Sequence, residues 1–281
     1  MTGEKRYMPK HGRRVIQYAA VILPSVALGV LAMIAGGTSS VLWGQQIVAF
    51  VVFALLAAVS GQTLRRIPAA ACAAVLVLIL GATLFGEQIG GARRWLDLMV
   101  FSVNAAMLVL PALLVLLGGM ACPYPALLCA AAILALQPDA SQMTAFAAAA
   151  LPLLWMHRKK LIWNAVTLLA MAVCMVRGFA VPVVMEPVAY CEGVLAMLGE
   201  ISPVLMAAGV LSLALVPAFW MVGFRRKRNI QMLSLAIYYA VITFFAMSGA
   251  YPMPLMGFGL SPIAGYWLAC VLVTESVKTS A

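Results

Sequence analysis

Apolar runs of about 20 residues recur along the whole chain, and they constrain its fold more than any other feature. A helix needs about 20 apolar residues to cross the ~30 Å hydrocarbon core of a bilayer. We therefore predict an all-α, polytopic membrane protein with about ten transmembrane helices and both termini in the cytoplasm. A β-barrel would show short segments of alternating hydrophobicity instead. The predicted spans lie near 15–36, 41–60, 67–86, 98–119, 123–137, 141–156, 161–182, 201–224, 231–249 and 259–274.

The composition predicts that the chain contains no soluble domain. Of the 281 residues, 65% are hydrophobic and only 9% are charged, whereas soluble domains carry about a quarter charged residues. We expect one integral membrane domain over residues 1–281, with residues 1–14 as a basic cytoplasmic tail. The net charge of +10 falls in short loops between apolar runs, so it does not indicate a nucleic-acid partner.

The distribution of basic residues supports this topology. With the N-terminus in the cytoplasm, all but three of the 18 basic residues fall in cytoplasmic segments, as the positive-inside rule requires. Clusters stand at Arg13–Arg14, Arg65–Arg66, Arg158–Lys160 and Arg225–Arg228. The exceptions on or near the outer face are Arg93, Arg94 and Arg177.

Carboxylates gather on the opposite face. Six of the eight acidic residues map to the outer half of the predicted topology: Glu87, Asp97, Asp139, Glu186, Glu192 and Glu200. Ionisable groups are costly near membrane helices and often mark function, although ordinary solvated loop charges explain each of them equally well. The outer face is therefore the candidate site.

Several kinds of chemistry find no support in the sequence. The six cysteines are scattered, without the spacing of a metal site. Neither a Walker A motif nor a nucleophile elbow is present, so an ATP-driven pump is not expected.

Four segments, in order, resemble the SEDS family (shape, elongation, division and sporulation) of bacterial cell-wall proteins. GARRWLDL, from Gly91 to Leu98, is similar to the family's GA-x-RWL-x-L. Gln137, Pro138 and Asp139 match its QPD, and YPMPLMGFGLSP from Tyr251 resembles its PLPFISYGGSS. VLWGQQIVAFVVFALL from Val41 looks like its second span. The resemblance covers almost the whole chain.

This resemblance implies a divergent, shortened SEDS-type peptidoglycan glycosyltransferase in the bacterial inner membrane. Such enzymes polymerise lipid II, a glycan linked to undecaprenyl pyrophosphate, usually with a class B penicillin-binding protein. The family's key aspartate lies in an outer loop, in a pattern whose Gly-Glu aligns with Gly199 and Glu200. That register places Glu192 at the catalytic position.

The expected chemistry needs a base and charge stabilisation. A carboxylate such as that of Glu192 can take the proton of the attacking hydroxyl, and arginine suits the anionic leaving group. Trp95 would stack on a sugar or anchor the chain at the interface, and Asp97 would pair with an arginine. No cofactor is certain, and a divalent cation is left open. The candidate substrate-binding residues are Arg93, Arg94, Trp95, Asp97, Asp139 and Arg177.

Departures from the family pattern keep other functions open. Where the family has QPSE-x-x-K, this chain has Asn104 to Met107 and Leu110, and the catalytic aspartate is replaced by glutamate in a shorter loop. Glu192 could also be a plain acid favoured by a helix N-terminus. The alternatives are a non-catalytic SEDS-like scaffold, a binder of lipid-linked precursor or a flippase, in envelope assembly or secretion.

Overall fold

The computed structural model describes residues 10–60, 67–98, 101–183, 186–249 and 251–279. These residues form eleven α-helices and one short β-hairpin. The helices are α1 (Lys10–Ala35), α2 (Ser40–Ser60), α3 (Ala69–Ala82), α4 (Ala105–Leu117), α5 (Tyr124–Leu136), α6 (Ala140–Met156), α7 (Leu161–Ala180), α8 (Val194–Ile201), α9 (Pro203–Lys227), α10 (Ile230–Met247) and α11 (Leu260–Thr279). A 3₁₀ turn, Thr83–Phe85, extends α3.

The chain is a polytopic α-helical membrane protein, as predicted. Five described helices, α1, α2, α7, α9 and α10, are long and apolar enough to cross a membrane, judged by length and composition. Five further apolar helical stretches are shorter, with 10–17 residues each. The cytoplasmic position of the termini stays a prediction. The basic cytoplasmic tail 1–14 also stays a prediction. Helix α1 already begins at Lys10, and residues 1–9 lie outside the described part of the chain.

The structure differs from the predicted spans at two places. The fourth, 98–119, begins too early, because Trp95–Asp97 pairs antiparallel with Ser102–Asn104 as strands β1 and β2. The helix α4 starts only at Ala105, where the Asn104 side chain accepts the N–H of Met107 and caps it. The eighth span, 201–224, is preceded by the separate helix α8, and Ser202 caps α9 by accepting the N–H of Val204.

The core lies around α4, whose residues are all buried except Leu108. Helix α4 packs on α3 and α11, while α10 packs on α6 and α9 and α5 packs on α7. Large apolar side chains remain exposed on α2, α7 and α9, for example Leu55, Leu169 and Leu211. Such faces suit contact with lipid chains, which are as apolar as leucine.

Candidate functional site

A cavity of about 780 Å³ opens where the β-hairpin meets the start of α2, the loop before α8 and the loop before α11. Aromatic side chains of Trp95, Tyr190 and Phe258 contribute to its wall. Among the described residues that line it, the charged ones are Glu186 and Glu192. The cavity is therefore large, partly aromatic and acidic, and it combines apolar walls with a few polar groups, as small-molecule sites do.

Glu192 sits in the wall of this cavity, in a tight turn. Its side chain is half-buried, and its Oε2 accepts the N–H of Val188 at 2.8 Å. The same turn is closed by the N–H of Glu192, which donates to the Val188 carbonyl at 2.9 Å. Helix α8 begins later, at Val194 after Gly193, so this bond holds a loop rather than capping α8.

The loop of Glu192 is fixed to the loop that precedes α11. Met253 N–H donates to the Cys191 carbonyl at 2.9 Å, and Phe258 N–H donates to the Tyr190 carbonyl at 2.8 Å. A Cβ on Gly257 would stand 2.3 Å from the Cys191 carbonyl oxygen, so only glycine permits this approach. Backbone bonds at the two residues before Glu192 thus fix the loop from which its carboxylate projects.

Gln46 of α2 holds the same loop from the other side. Its side chain is fully buried; Nε2 donates to the Gly257 carbonyl at 3.0 Å, and Oε1 accepts the N–H of Gly259 at 3.1 Å. Because a side-chain amide both donates and accepts, Gln46 makes two hydrogen bonds to the loop backbone and so joins α2 to the loop.

A buried ion pair lies beside this cavity. Arg94 Nε stands 3.3 Å from Asp139 Oδ2, and the side chains are 9% and 0% exposed. The Nη2 of Arg94 also donates to the Pro138 carbonyl at 2.9 Å. Tyr251 Oη donates to Asp139 Oδ2 at 3.3 Å, and the Arg94 guanidinium lies 5.8 Å from the centre of the Tyr251 ring. The GARRWL, QPD and YPMP segments therefore meet at one point.

Amide side chains extend this network to the cavity wall. Tyr251 Oη accepts from Gln142 Nε2 at 2.9 Å and from Asn104 Nδ2 at 3.2 Å. Asn104 N–H donates to Ser261 Oγ at 2.8 Å, and both Asn104 and Ser261 line the cavity. The ion pair is thus coupled to the site through hydrogen bonds, because a shift of Tyr251 would move Asn104.

Six of the seven predicted site residues divide into three groups. Glu192 and Trp95 line the cavity. Arg94 and Asp139 support it from the buried network and do not line it. Arg93 and Arg177 are exposed. The Nη1 of Arg93 donates to the Leu84 carbonyl at 3.1 Å, and Arg177 lies in the last turn of α7.

The predicted pairing of Asp97 with an arginine is wrong. The Asp97 carboxylate accepts a hydrogen bond from the Ser102 hydroxyl across the hairpin, while Arg94 pairs with Asp139. The β-pairing explains the difference, since it places Ser102 directly opposite Asp97.

Sequence reasoning missed the residues that join the motifs, namely Gln46, Gln142 and Tyr251. Each is a polar side chain next to or inside an apolar run. Because a buried polar group needs a partner, glutamine inside a predicted membrane helix was the available signal.

The chemistry of Cys191 is set by its surroundings. Burial and the neighbouring Glu192 carboxylate raise the pKa of the thiol to about 12. The group therefore stays a neutral thiol near pH 7 and is a poor nucleophile.

The described residues contain no group of three or more His, Cys, Asp or Glu side chains that could hold a metal ion. Glu186 and Glu192 nevertheless line one cavity. Carboxylate oxygens are the donors that Mg²⁺ takes when substrate phosphates supply further ligands, so these residues are compatible with a cation that enters with a substrate.

Comparisons with known proteins place the fold. No protein-family model and no curated sequence matches the chain. Two crystal structures of rod shape determining protein RodA from Thermus thermophilus, one of them a point mutant, are similar to it over nearly their whole length. Each is 20% identical with a TM-score of 0.60, and the match covers 93% of this chain and 96% or 95% of the RodA chain.

The fold implied by the sequence motifs is therefore confirmed. At 20% identity the likeness concerns the arrangement of helices and not the reaction. The chain is thus a polytopic membrane protein with the fold seen in RodA.

Proposed function

We propose that the chain is a SEDS-type glycosyltransferase that polymerises an undecaprenyl-linked glycan, of the lipid II kind, at the outer face of the bacterial inner membrane. One observation carries the proposal: a loop carboxylate, Glu192, is held by backbone bonds in the wall of a cavity with aromatic sides. This is the arrangement that a glycosyl transfer with a fixed base needs.

The reaction assigns one task to Glu192. An acceptor sugar hydroxyl attacks the anomeric carbon of the donor, and the Glu192 carboxylate takes its proton. The bond from the anomeric carbon to the pyrophosphate oxygen breaks, and its electron pair leaves with the pyrophosphate. Trp95 would stack on a sugar ring, in keeping with its position in the cavity wall.

The negative charge that develops on the pyrophosphate leaving group must be stabilised by a group other than Arg94. That guanidinium is buried and paired with Asp139, so its proposed role is to position the loop before α11. Arg93 and Arg177 are exposed and stay predictions as phosphate ligands. A divalent cation held by Glu186 with substrate oxygens would neutralise developing charge on the pyrophosphate.

The proposed partners follow from the resemblance and the fold. We propose that a class B penicillin-binding protein or another envelope membrane protein binds the chain within the bilayer. RodA, whose fold the chain shares, is described as a rod shape determining protein, in keeping with a role in cell-wall assembly.

A second candidate is a non-catalytic SEDS-like protein that binds lipid-linked precursor or scaffolds a partner. Its support is chemical: the described cavity-lining residues include no arginine or lysine. The two positions at which SEDS proteins carry a paired acid and lysine hold Met107 and Leu110 here, both buried and apolar.

One experiment separates these candidates. Purified protein, with and without a penicillin-binding partner, is incubated with labelled lipid II and Mg²⁺, and both the bound lipid and the polymer are measured. The enzyme proposal predicts polymer from the wild type and from Glu200→Gln, which alters an exposed α8 residue, but not from Glu192→Gln. Lipid II binding without polymer under every condition would support the second candidate instead.

A further inference from the structure

We propose that an anionic phospholipid of the cytoplasmic leaflet binds in a second cavity, between the first turns of α5 and α7. This cavity, the lysine pocket, has a volume of about 860 Å³ and is formed mainly by Tyr124, Leu128, Lys159, Lys160, Ile162 and Trp163. It lies at the opposite end of α5 from Asp139, about 20 Å away at 1.5 Å per residue. It is therefore separate from the Glu192 cavity.

The pocket carries positive charge without a compensating acid. Lys159 and Lys160 are exposed on its rim, and exposed Arg158 precedes them. Among the described residues lining it there is no aspartate or glutamate. Basic pockets between helices on the cytoplasmic side of a membrane protein bind anionic lipid headgroups, and residues 157–160 form a predicted cytoplasmic loop.

One of the two ammonium groups has a defined position. Lys160 Nζ donates to the Ala121 carbonyl at 3.2 Å and stands 5.9 Å from the centre of the Tyr124 ring, within the range of a cation–π contact. An ammonium group has three donors, so further protons remain for a phosphate oxygen.

The aromatic floor beneath this lysine is itself fixed. Tyr124 is buried, with 2% of its surface exposed, and its Oη donates to Asn164 Oδ1 at 3.0 Å. Asn164 Nδ2 donates in turn to the Leu154 carbonyl at 3.1 Å. Trp163 stacks on Tyr124 with ring centres 5.9 Å apart. The pocket is a packed structure and not a chance gathering of surface lysines.

The apolar wall distinguishes a lipid from a soluble anion. Leu161 and Ile162 are 74% and 78% exposed immediately after the lysines, which leaves apolar surface for acyl chains. A free phosphate would use the lysines alone, and a zwitterionic lipid would gain little from two cations. The combination fits a ligand with an anionic head and hydrocarbon tails.

Competition binding in detergent tests the proposal. A fluorescent phosphatidylglycerol is bound to the full-length protein and displaced by phosphatidylglycerol, phosphatidylcholine or inorganic phosphate. The variants are Lys159→Gln with Lys160→Gln, and a matched control, Arg225→Gln with Arg226→Gln, at another predicted cytoplasmic basic cluster.

We expect phosphatidylglycerol to displace the probe at least about fivefold better than phosphatidylcholine, and inorganic phosphate not to displace it. Each lysine is expected to contribute about fivefold, the factor typical of one cation near an anionic leaflet, so the double variant should bind roughly 25-fold more weakly while the arginine control is unchanged. Wild-type affinity in the double variant, equal binding of the two lipids, or displacement by phosphate would overturn the proposal. Should the double variant fail to fold, the exposed Lys159→Gln alone must still lose about fivefold.

Discussion

The Arg94 guanidinium and the Asp139 carboxylate form a buried ion pair, with 3.3 Å between Nε and Oδ2. The pair joins the segment before β1 to the start of α6, and Tyr251 connects it to the loop before α11. Two sequence motifs that stand far apart in the chain are thereby held at one point beside the candidate site. Neither residue lines the cavity, so their contribution to function acts through the loops they hold.

Replacing Asp139 by Asn should destabilise the protein strongly. The change leaves the Arg94 charge buried without its partner, and breaking such a pair costs roughly 3–5 kcal/mol. Thermal unfolding in detergent measures the effect. Asp97→Asn is the matched control, because that carboxylate is exposed and bonds only Ser102 among the described contacts; its expected cost is within about 0.5 kcal/mol. Equal melting shifts in the two variants would contradict the account.

The ion pair should also show strong coupling. Arg94→Met and Asp139→Leu each leave one buried charge, whereas the double variant leaves none. Its loss of stability should be smaller than the sum of the single losses by roughly 1–3 kcal/mol. The same unfolding assay gives the coupling, and additive effects would show that the pair does not act as a unit.

Gly257→Ala should displace the loop that holds Glu192. Its Cβ would stand 2.3 Å from the Cys191 carbonyl oxygen, so the backbone must shift, at a cost of about 1–3 kcal/mol. The rate of lipid II polymerisation should fall as well, because the displaced loop carries Glu192. In the control, Gly44→Ala, the added Cβ meets nothing within 4 Å on helix α2, and alanine favours helix. Retained activity and stability in Gly257→Ala would show that the loop contact is dispensable.

Gln46→Ala should loosen the same loop from the α2 side. It leaves the Gly257 carbonyl and the Gly259 N–H without the partner they have in the structure, and each such loss costs about 1–3 kcal/mol. The melting temperature should fall, while exposed Gln88 replaced by alanine should leave it unchanged. Hydrogen exchange of residues 253–259 would localise the change.

Cys191 should resist alkylation at neutral pH. Its pKa is raised to about 12, so the reactive thiolate is present only as the pH approaches that value. Maleimide labelling of single-cysteine variants at pH 7.5 should leave Cys191 largely unmodified and modify exposed Cys122. Equal labelling rates for Cys191 and Cys122 at pH 7.5 would show that the Cys191 thiol is neither buried nor affected by Glu192.

Hydropathy predicted the long helices well because membrane spans are set by length and composition. It failed at the start of α4, where the predicted span begins at Leu98 although Trp95–Asp97 pairs with Ser102–Asn104 as two strands. The eighth predicted span corresponds to α9, whereas the short helix α8 before it was not predicted, because its eight residues are too few to cross a bilayer.

The candidate site was only partly readable from sequence. Motif resemblance named Glu192 and Trp95 as candidate site residues, and both line one cavity of the structure. The partner of Arg94 was missed because Asp139 approaches it only through tertiary structure, while Asp97 was close in sequence but points to Ser102. Local spacing does not specify contacts between loops.

The most direct test of the central claim compares the rate of lipid II polymerisation by the wild type and by Glu192→Gln at equal lipid II occupancy. Removing a general base should lower the rate by about 10²–10⁴-fold while lipid II binding is retained, because the amide keeps the shape of the carboxylate but cannot take the proton. A variant that polymerises within a few-fold of the wild type would show that Glu192 is not the base.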